Sequence, residues 1–410
     1  MYASGNITRN TIAMVLAGGK GERLSPITVG RPKPAVPFGG KYKIIDFVLS
    51  NLFNSGIRKT FILTQYQAYS LNKHIKESWS KWVGLGEFYD TISPQTTSIG
   101  EQWYTGTADA IFHNLRFIES SEVEYVVIFG GDHIYKMDIA QMISYHRMNK
   151  ADITIAALEV TPDEAKRFGI LCVDEDLKVT SFVEKPTVPA LVPGRSTCFA
   201  SMGNYIFSTA KLIEVLKEGK RKHVDLDFGK HIIPLMLEQG DKIFAYSFFD
   251  NSVPGMGSNE RGYWKDVGTL DSYYEANMDL ISVSPQLNLY NYQWPILTNQ
   301  GNLPPAKTVF DDEGRRGENL DSLVCGGCIT SGSAVRRSIL GPSCRVHSYA
   351  VVEDSILFEN VQIGRGARIK HAIIDENVSI PAGMQIGIDP EEDRMRGCTV
   401  TESGIVVVTR

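Results

Sequence analysis

The chain has 410 residues, more than a single hydrophobic core usually serves, so we expect two domains. Its hydrophobic content of 43% and charged content of 22% are ordinary for a folded globular protein. The net charge of -5 excludes the broad basic surface that binds nucleic acid or anionic membranes, so any anion site must be local. No stretch approaches the roughly 20 apolar residues that span a bilayer, and the N-terminus lacks a hydrophobic signal region. We therefore expect a cytoplasmic protein with no nucleic-acid or membrane partner.

The first part of the chain alternates short apolar runs with amphipathic segments. Continuous apolar runs are typical of parallel strands that helices cover on both faces. Strands are predicted at residues 11–17, 57–65, 125–131 and 152–160. Residues 44–56 and 107–121 predict crossover helices, and Gly56 provides a C-terminal cap for the first. The pattern indicates a doubly wound α/β domain over residues 1–280.

A glycine-rich segment, GGKGERL, follows the first predicted strand at residues 18–24. It fails the dinucleotide-binding fingerprint because the third glycine of GxGxxG would fall on Leu24. It fails the Walker pattern because Lys20 is followed by a third glycine instead of Ser or Thr. Glycines nevertheless let a backbone approach a ligand closely and present its amides. The predicted nucleotide-binding glycines are Gly18, Gly19 and Gly21.

Two basic residues, Arg23 and Lys33, add full charges that would flank a polyphosphate. Prolines at positions 32, 34 and 37 stiffen the segment that carries Lys33, which favours a fixed position for its ammonium. These residues predict a nucleoside triphosphate site in an α/β domain. A solvated basic loop is the alternative.

An acidic motif, GDHIYKMD, follows the apolar run at 125–131. Asp132 stands at the carboxyl end of that predicted strand, where open α/β sheets present ligand-binding residues. Asp138 closes the motif and is predicted to cap a helix or to support the site from behind. Asp132 is therefore the stronger candidate for a direct role.

The sequence pattern changes after residue 280. Residues 281–310 are rich in proline and polar residues and predict a linker. Over residues 311–410, apolar residues recur every 17 positions. One such column comprises Ile329, Val346, Ile363 and Ile380. Apolar residues about six apart within each repeat are typical of a parallel β-helix, and a short solenoid needs a covering surface, so we expect oligomerisation through it.

Six cysteines are spread too sparsely for a disulfide framework, so we expect reduced thiols. Cys325 and Cys328 form a CxxC pair, but no second pair completes a zinc site and no βαβ context suggests a thioredoxin motif. We therefore assign the pair a structural or incidental role.

Six motifs that follow one another along nearly the whole chain carry a family resemblance. They are GGxGxRL, KPAVPFGG, WYTGTADA, GDHIYKMD, FVEKP and YWKDVGT. In this order they resemble the sugar-nucleotide pyrophosphorylases, and KYKIIDFVLSNLFNSG at residues 41–56 is most similar to the bacterial glucose-1-phosphate adenylyltransferase (ADP-glucose pyrophosphorylase) family. The resemblance implies a Rossmann-like nucleotidyltransferase domain, with a doubly wound mixed sheet, followed by a C-terminal left-handed parallel β-helix.

The resemblance also implies a reaction, in which ATP and α-D-glucose 1-phosphate give ADP-glucose and diphosphate for glycogen or storage-glucan synthesis. Arg23, Lys33 and Asp132 would be the catalytic residues. The family places its Mg²⁺ on aspartates at the positions of Asp132 and Asp266, and two carboxylates that share an ion with phosphate oxygens suit magnesium. The family likeness further implies an allosterically regulated homotetramer that responds to small-molecule effectors.

The sugar-phosphate site follows from the same resemblance. Lys185 matches the family's contact to the phosphate of glucose 1-phosphate, and Glu184 matches the residue that bonds the sugar hydroxyls. The remaining sugar-phosphate positions are Tyr104, Gly169 and Ser201. Gln65 and Trp103 match positions linked to communication between regulatory and catalytic sites, with ordinary packing as the alternative for Trp103.

One position departs from the family pattern. Many members carry, shortly before the Arg-x-Lys-Pro segment, a lysine that helps to bind an activating sugar bisphosphate. This chain has Gly30 there. Lys20 and Arg23 lie in the region implicated in effector response, so the identities of the activator and the inhibitor stay open.

Three alternatives remain from the sequence. The first is a pyrophosphorylase that uses another nucleotide, such as UTP or dTTP. The second is a non-catalytic regulatory homologue, against which the intact basic and acidic motif residues argue. The third is an acyltransferase built on the β-helix, in which His347 or His371 would act as the base.

Overall fold

The computed structural model describes residues 8–19, 21–94, 96–97, 100–101, 103–299 and 301–410. Lys20 of the glycine-rich loop lies outside these residues. The described chain folds into an N-terminal α/β unit and a C-terminal β-solenoid. Across these ranges no helix has the length and apolar character that crossing a membrane requires.

Fifteen strands lie in the described part of the N-terminal unit. In chain order they are β1 (Thr11–Ala17), β2 (Pro37–Phe38), β3 (Tyr42–Lys43), β4 (Lys59–Thr64), β5 (Phe88–Ile92), β6 (Thr96–Thr97), β7 (Gly100–Glu101), β8 (Tyr125–Gly130), β9 (Ile134–Tyr135), β10 (Ile153–Val160), β11 (Gly169–Val173), β12 (Val179–Glu184), β13 (Cys198–Ser208), β14 (Ile243–Ser247) and β15 (Trp264–Lys265). Three short antiparallel ladders pair β2 with β3, β6 with β7, and β9 with β15.

The other nine strands form the central sheet, in the order β12-β11-β13-β8-β1-β4-β5, with β10 paired to β13 and to β14. β1, β4, β5 and β8 run parallel to their neighbours in this group. β13 runs antiparallel to β8, β10 and β11. The sheet is therefore mixed, and the run at 152–160, predicted as a parallel strand, has an antiparallel neighbour on one side.

The apolar run of β1 contributes to both faces of the sheet. Ile12 and Met14 pack into one hydrophobic core, whereas Ala13 and Val15 pack into the other. This alternation arises because successive residues of a strand point to opposite faces. A strand buried on both faces needs apolar residues at every position, which is why its sequence is a continuous apolar run.

Helices pack on both faces of the sheet. Their ranges are Ile44–Asn54, Tyr69–Ser78, Thr107–His113, Leu115–Glu119, Ile139–Met148, Pro162–Ala165, Thr209–Lys222, Ile233–Gln239 and Leu270–Asp279. The helix predicted over 44–56 is confirmed, and Gly56 follows it with a φ of 81°, the left-handed conformation of a C-terminal cap. Asp138 is confirmed as a helix cap, since its Oδ1 accepts a hydrogen bond from the Ala140 amide at 3.0 Å.

The helix predicted over 107–121 is instead two helices that meet at Asn114. The Asn114 side chain donates from Nδ2 to the Ala110 carbonyl at 2.8 Å and to the Tyr104 hydroxyl at 2.9 Å. An asparagine that bonds nearby groups in this way competes with the regular helical pattern, so the helix breaks there.

The solenoid consists of three parallel sheets that repeat along its axis. The first comprises Lys307–Val309, Ile329–Ser331, Arg345–Val346, Gln362–Ile363 and Ser379–Ile380. The second comprises Glu318–Leu320, Ala334–Arg336, Val351–Glu353, Arg368–Lys370 and Gln385–Ile386. The third comprises Leu323–Val324, Ile339–Leu340, Ile356–Leu357, Ala372–Ile374, Val406–Val408 and, antiparallel at its end, Thr399–Val400.

The predicted column of apolar residues holds except at its first member. Val346 pairs with Ile363, and Ile363 pairs with Ile380, as the 17-residue step requires. The residue paired with Val346 on the other side is Thr330, which is buried, and not Ile329. The step from Thr330 to Val346 is one residue shorter than the two steps that follow it in this sheet, so the placement of Ile329 in the column was wrong.

The N-terminal unit packs directly against the third sheet of the solenoid. Phe38 and Tyr273 belong to the same hydrophobic cluster as Ile356 and Ile373 of that sheet. Ion pairs border this cluster: Arg31 Nη2 lies 2.8 Å from Asp375 Oδ1. Lys43 Nζ likewise lies 2.8 Å from Glu376 Oε1. The segment that carries Lys33 is therefore tied to the solenoid at both ends.

All six cysteines are free. Cys328 is buried in the solenoid, and its Sγ donates to the Gly341 carbonyl at 3.1 Å. His371, a candidate base under the acyltransferase alternative, instead lies at the interface between the two units, with its Nδ1 3.1 Å from the Tyr274 hydroxyl.

Candidate active site

A cleft of about 840 Å³ opens at the carboxyl edge of the central sheet, beyond the ends of β1, β4 and β8. These strands are adjacent and parallel, so residues that follow them meet at one place. The sequence-predicted residues that line the cleft are Gly18, Gly19, Gly21, Arg23, Lys33, Gln65, Tyr104, Asp132 and Asp266.

The backbone of the glycine-rich loop lies against this cleft because its glycines lack side chains. Gly21 has a φ of 65°, and a Cβ there would lie 3.0 Å from the Cβ of Lys33. Thr28 holds the turn by donating from Oγ1 to the Gly21 carbonyl at 3.0 Å. A Cβ at Gly18 would likewise lie 3.0 Å from the Cβ of Gln65. Larger residues would push the loop away from its neighbours.

Lys33 is almost wholly buried, with 7% of its side chain exposed. It begins a single turn of 3-10 helix, Lys33–Ala35, directly after Pro32. Its Nζ lies 2.7 Å from Asp266 Oδ1 and 3.2 Å from Asp132 Oδ2. One ammonium thus bridges the two carboxylates that the family resemblance assigns to a metal.

Asp132 and Asp266 come from segments far apart in the chain. Asp132 lies between β8 and β9, and Asp266 directly follows β15. β9 and β15 pair antiparallel through only two residue pairs. This short ladder brings the two carboxylates to the same end of the pair of strands.

The electrostatic environment favours the ionised form of Asp132. Burial raises the pKa of its carboxyl, but the nearby His133 and the Lys33 ammonium lower it more, so the pKa lies below its ordinary value.

Arg23 approaches Asp266 loosely, with 3.9 Å between Nη2 and Oδ2, and 74% of the Arg23 side chain is exposed. The Arg23 guanidinium is therefore accessible to an anion in the cleft.

The two carboxylates suit a divalent cation. In the described ranges no group of three or more His, Cys, Asp or Glu residues is arranged to hold a metal ion. Asp132 and Asp266 already share one cation, the Lys33 ammonium, and carboxylate oxygens are ligands that hard divalent cations prefer. The residues present therefore fit a divalent cation that would be shared with a phosphorylated ligand.

Tyr104 and Gln65 form another part of the cleft wall. Gln65 directly follows β4, and its Nε2 donates to the Tyr104 carbonyl at 3.3 Å. Burial raises the pKa of Tyr104. Its hydroxyl therefore stays protonated and can still donate a hydrogen bond to a ligand.

Gly169, Glu184 and Lys185 lie on the β11–β12 hairpin, outside the lining of the cleft. Gly169 pairs with Glu184, and a Cβ at Gly169 would lie 2.4 Å from Cζ of Phe182. Lys185 Nζ lies 3.8 Å from Glu184 Oε1, and the two side chains are 64% and 45% exposed. The lysine is thus available for a ligand contact.

Ser201 and Tyr205 connect this hairpin with the cleft. The Ser201 Oγ accepts from the amide of Gly203, which lines the cleft. Burial raises the pKa of Tyr205; a hydrogen bond with Ser201 opposes the rise, and the carboxylates of Asp227 and Glu184 add to it. Asp227 also lines the cleft. The carboxylates of Glu184, on the hairpin, and of Asp227, in the cleft, therefore both act on the Tyr205 hydroxyl.

Trp103 and Gly30 do not line the cleft. Trp103 has 54% of its surface exposed, which is more than ordinary core packing would leave. Gly30 has a φ of 91° and no atom within 4 Å of a Cβ built there. There is space for a side chain at Gly30, but any L residue would be strained.

Known proteins resemble this chain over its whole length. Residues 12–283 match the family model described as nucleotidyl transferase, and residues 304–408 match a model described as GlmU-like, C-terminal hexapeptide. Glucose-1-phosphate adenylyltransferases from Geobacter metallireducens and Trichlorobacter lovleyi are each 71% identical to it, with 100% of this chain and 99% of each relative covered. One from Rhodopirellula baltica is 50% identical, with 98% of this chain and 90% of that relative covered.

The chain belongs to the glucose-1-phosphate adenylyltransferase family. It is accordingly an enzyme of the nucleotidyltransferase class. The two family models confirm the predicted order of a Rossmann-like nucleotidyltransferase domain followed by a hexapeptide domain, and the parallel sheets are consistent with the predicted left-handed β-helix.

Several cleft residues of this adenylyltransferase-family chain were missed by sequence reasoning. Asp227 lines the cleft, and its Oδ2 accepts from the Thr107 hydroxyl at 2.8 Å. Its Oδ1 accepts from the amides of Gly229 and Lys230 at 2.9 and 3.1 Å, at the start of a π-helical turn. π-Helical turns often mark functional sites, but the sequence around Asp227 gives no periodic signal of one.

Proposed function

We propose that this chain transfers the adenylyl group of ATP to α-D-glucose 1-phosphate and releases diphosphate, so that its product, ADP-glucose, supplies glycogen or storage-glucan synthesis. Family membership supports this reaction. The observation that carries it is the convergence, in one cleft, of the glycine-rich loop, the buried Lys33 ammonium and the carboxylates of Asp132 and Asp266.

The proposed reaction depends more on neutralising the charges of the two phosphorylated reactants than on proton transfer. An oxygen of the sugar phosphate attacks the α-phosphorus of ATP while diphosphate leaves on the opposite side. Both reactants are anions, so repulsion and misalignment account for most of the barrier. The nucleophile is already ionised, so no general base is needed. The protein must supply fixed amides and cations.

The nucleotide is assigned to the glycine-rich loop. The amides of Gly18, Gly19 and Gly21 would face its phosphates, because these three residues line the cleft and have no side chains of their own. Lys33 and Arg23 would donate to phosphate oxygens from the same side. The buried Lys33 is held in place, whereas the exposed Arg23 can close onto the ligand.

Mg²⁺ is assigned to Asp132 and Asp266. When bound, it would neutralise charge on the phosphate oxygens and stabilise the departing diphosphate. The Asp132 carboxylate itself stays ionised for this role, as its lowered pKa indicates, although burial opposes the lowering. Lys33 keeps both carboxylates paired in the absence of ligand, which avoids repulsion between them.

The sugar phosphate is assigned to the hairpin and the neighbouring strand. Lys185 would contact the phosphate, and Glu184 would accept from sugar hydroxyls. Tyr104 and Ser201 would add hydrogen bonds. Gly169 would let the two strands of the hairpin lie close together, because a Cβ there would collide with Phe182.

Lys185→Ala is expected to raise the KM for glucose 1-phosphate by about 10- to 100-fold, which corresponds to the loss of one charge-assisted contact. The KM for ATP should stay within about twofold, because Lys185 lies outside the nucleotide loop. Steady-state kinetics with each substrate varied in turn measures the two constants. Lys178→Ala, an exposed lysine at the other end of β12, is the matched control. Equal increases in both KM values would contradict the assigned contact.

A diphosphate-release assay across ATP, UTP, dTTP and GTP tests the proposed function itself. ATP should support turnover with glucose 1-phosphate far better than the other nucleotides. Preference for UTP or dTTP would establish the alternative of another sugar-nucleotide pyrophosphorylase. No turnover with ATP and glucose 1-phosphate would contradict the proposed reaction.

Regulation and assembly complete the proposal. We assign a homotetramer, with the exposed solenoid as the expected contact surface.

Gln65 and Trp103 would transmit the effect of effector binding to the cleft. Gln65 already donates a hydrogen bond to the Tyr104 carbonyl. The positive φ of Gly30 disfavours a lysine there, so the activator should differ from those of members that carry it. Repeating the assay with sugar phosphates and carboxylates identifies the effectors, and light scattering gives the oligomeric mass.

A further inference from the structure

A buried ion pair lies beside the short ladder that carries the two candidate metal ligands. Lys136 Nζ lies 2.9 Å from Glu260 Oε1, and the two side chains are only 2% and 3% exposed. Lys136 also donates to the carbonyl of Asn288. Glu260 accepts from the amide of Asn288 at Oε1, 2.9 Å away, and from the amide of Gly257 at Oε2, 3.2 Å away.

The position of the pair relates it to the cleft. Lys136 directly follows β9, whose other end leads back to Asp132. Glu260 precedes β15, whose other end leads to Asp266. The carboxylates therefore lie at one end of the ladder and the ion pair at the other. Only two residue pairs separate the two ends, so the ladder alone is a weak restraint.

Stability does not explain why a charged pair occupies this place. Removing two charges from water is costly, and a buried ion pair is often no more stabilising than apolar side chains of similar volume. An apolar pair would, however, be non-directional. The pair here is held by three further hydrogen bonds to the backbone, which fix where each strand end lies relative to the other.

We propose that Lys136 and Glu260 are positioning residues that set the separation of Asp132 and Asp266 and thereby the affinity of the site for a divalent cation. This inference rests on the proposed function, because it takes those two carboxylates as the metal ligands. The same pair also anchors Asn288 of the segment that leads to the solenoid, so it holds three stretches of chain in one arrangement.

The test is direct binding of Mn²⁺, as a paramagnetic probe for Mg²⁺, measured by electron paramagnetic resonance in the presence of a non-hydrolysable ATP analogue. Lys136→Met keeps an apolar stem as long as that of lysine but removes the terminal ammonium and its charge. Lys136→Met/Glu260→Gln also removes the carboxylate charge that the first variant leaves unpaired. The Tm of each variant is recorded alongside the Kd for Mn²⁺.

Both variants should bind Mn²⁺ about 10-fold more weakly or worse than the wild-type chain, the loss typical when residues that orient metal ligands are replaced. Lys211→Met is the matched control. It removes a lysine whose Nζ lies 2.8 Å from Asp241 on a side of the domain that does not line the cleft. This control should lower the Tm without changing the Kd for Mn²⁺.

The outcomes separate the inference from the function on which it rests. If the wild-type chain does not bind Mn²⁺, or if Asp132→Asn binds it equally well, the proposed metal site is wrong and the inference falls with it. If wild-type binding requires Asp132 but Lys136→Met binds within twofold of wild type, the pair is merely structural. If Lys136→Met does not fold, the double variant decides in the same way, since it leaves no unpaired buried charge.

Discussion

Asp132→Asn should lower turnover by about 10³-fold or more while the fold stays intact. Its Oδ2 is one of the two carboxylate oxygens that share the Lys33 ammonium in the cleft. Asparagine keeps the shape and one oxygen but loses the charge that attracts a divalent cation. Because the substitution acts where negative charge develops on the leaving diphosphate, it should affect kcat more than the KM for either substrate.

The measurement is steady-state diphosphate release at saturating ATP, glucose 1-phosphate and Mg²⁺, with the Tm recorded to verify folding. Asp138→Asn provides a control from the same motif, because its carboxylate caps a helix and does not line the cleft. Asn is itself a good helix cap, so this variant should change stability by less than about 1 kcal/mol and leave turnover nearly unchanged. Turnover near the wild-type level in Asp132→Asn would remove Asp132 from the site.

Much of the fold could be predicted because local pattern and tertiary burial agree. β1 is apolar at every position because the two cores require it, and the 17-residue period reflects stacked coils. The failures arise where one local contact overrides the pattern. Asn114 breaks the helix predicted over 107–121 through its own hydrogen bonds. The shorter step before Val346 places Thr330 in the column expected to hold Ile329.

Only part of the candidate site could be predicted from the sequence. The cleft residues of the glycine-rich loop and Asp132 follow strands, so strand ends and glycine spacing located them. Asp266 required the family resemblance. The contacts between these segments could not be predicted, because Lys33 is 99 residues from Asp132 and 233 residues from Asp266. The Lys136–Glu260 pair, 124 residues apart, was missed for the same reason.

Lys33→Met should also lower kcat/KM by about 10³-fold, but through a different step from Asp132→Asn. The Lys33 ammonium lies between the carboxylates of Asp132 and Asp266. Removing it leaves two neighbouring anions without a counter-charge. Affinity for a divalent cation should therefore be unchanged or higher, even though turnover is lost with the donor to the phosphate oxygens.

Mn²⁺ binding and thermal unfolding distinguish these effects. In the absence of metal, Lys33→Met should unfold at a lower temperature than wild type, because the two carboxylates then repel each other. Adding Mn²⁺ should raise the Tm of Lys33→Met more than it raises the Tm of wild type. Lys41→Met is the control from the same segment, since its ammonium packs over the Tyr42 ring and does not line the cleft. Weaker Mn²⁺ binding in Lys33→Met would mean that the lysine aligns the carboxylates for the metal. Retained Mn²⁺ binding with lost turnover would mean that it acts on the nucleotide phosphates.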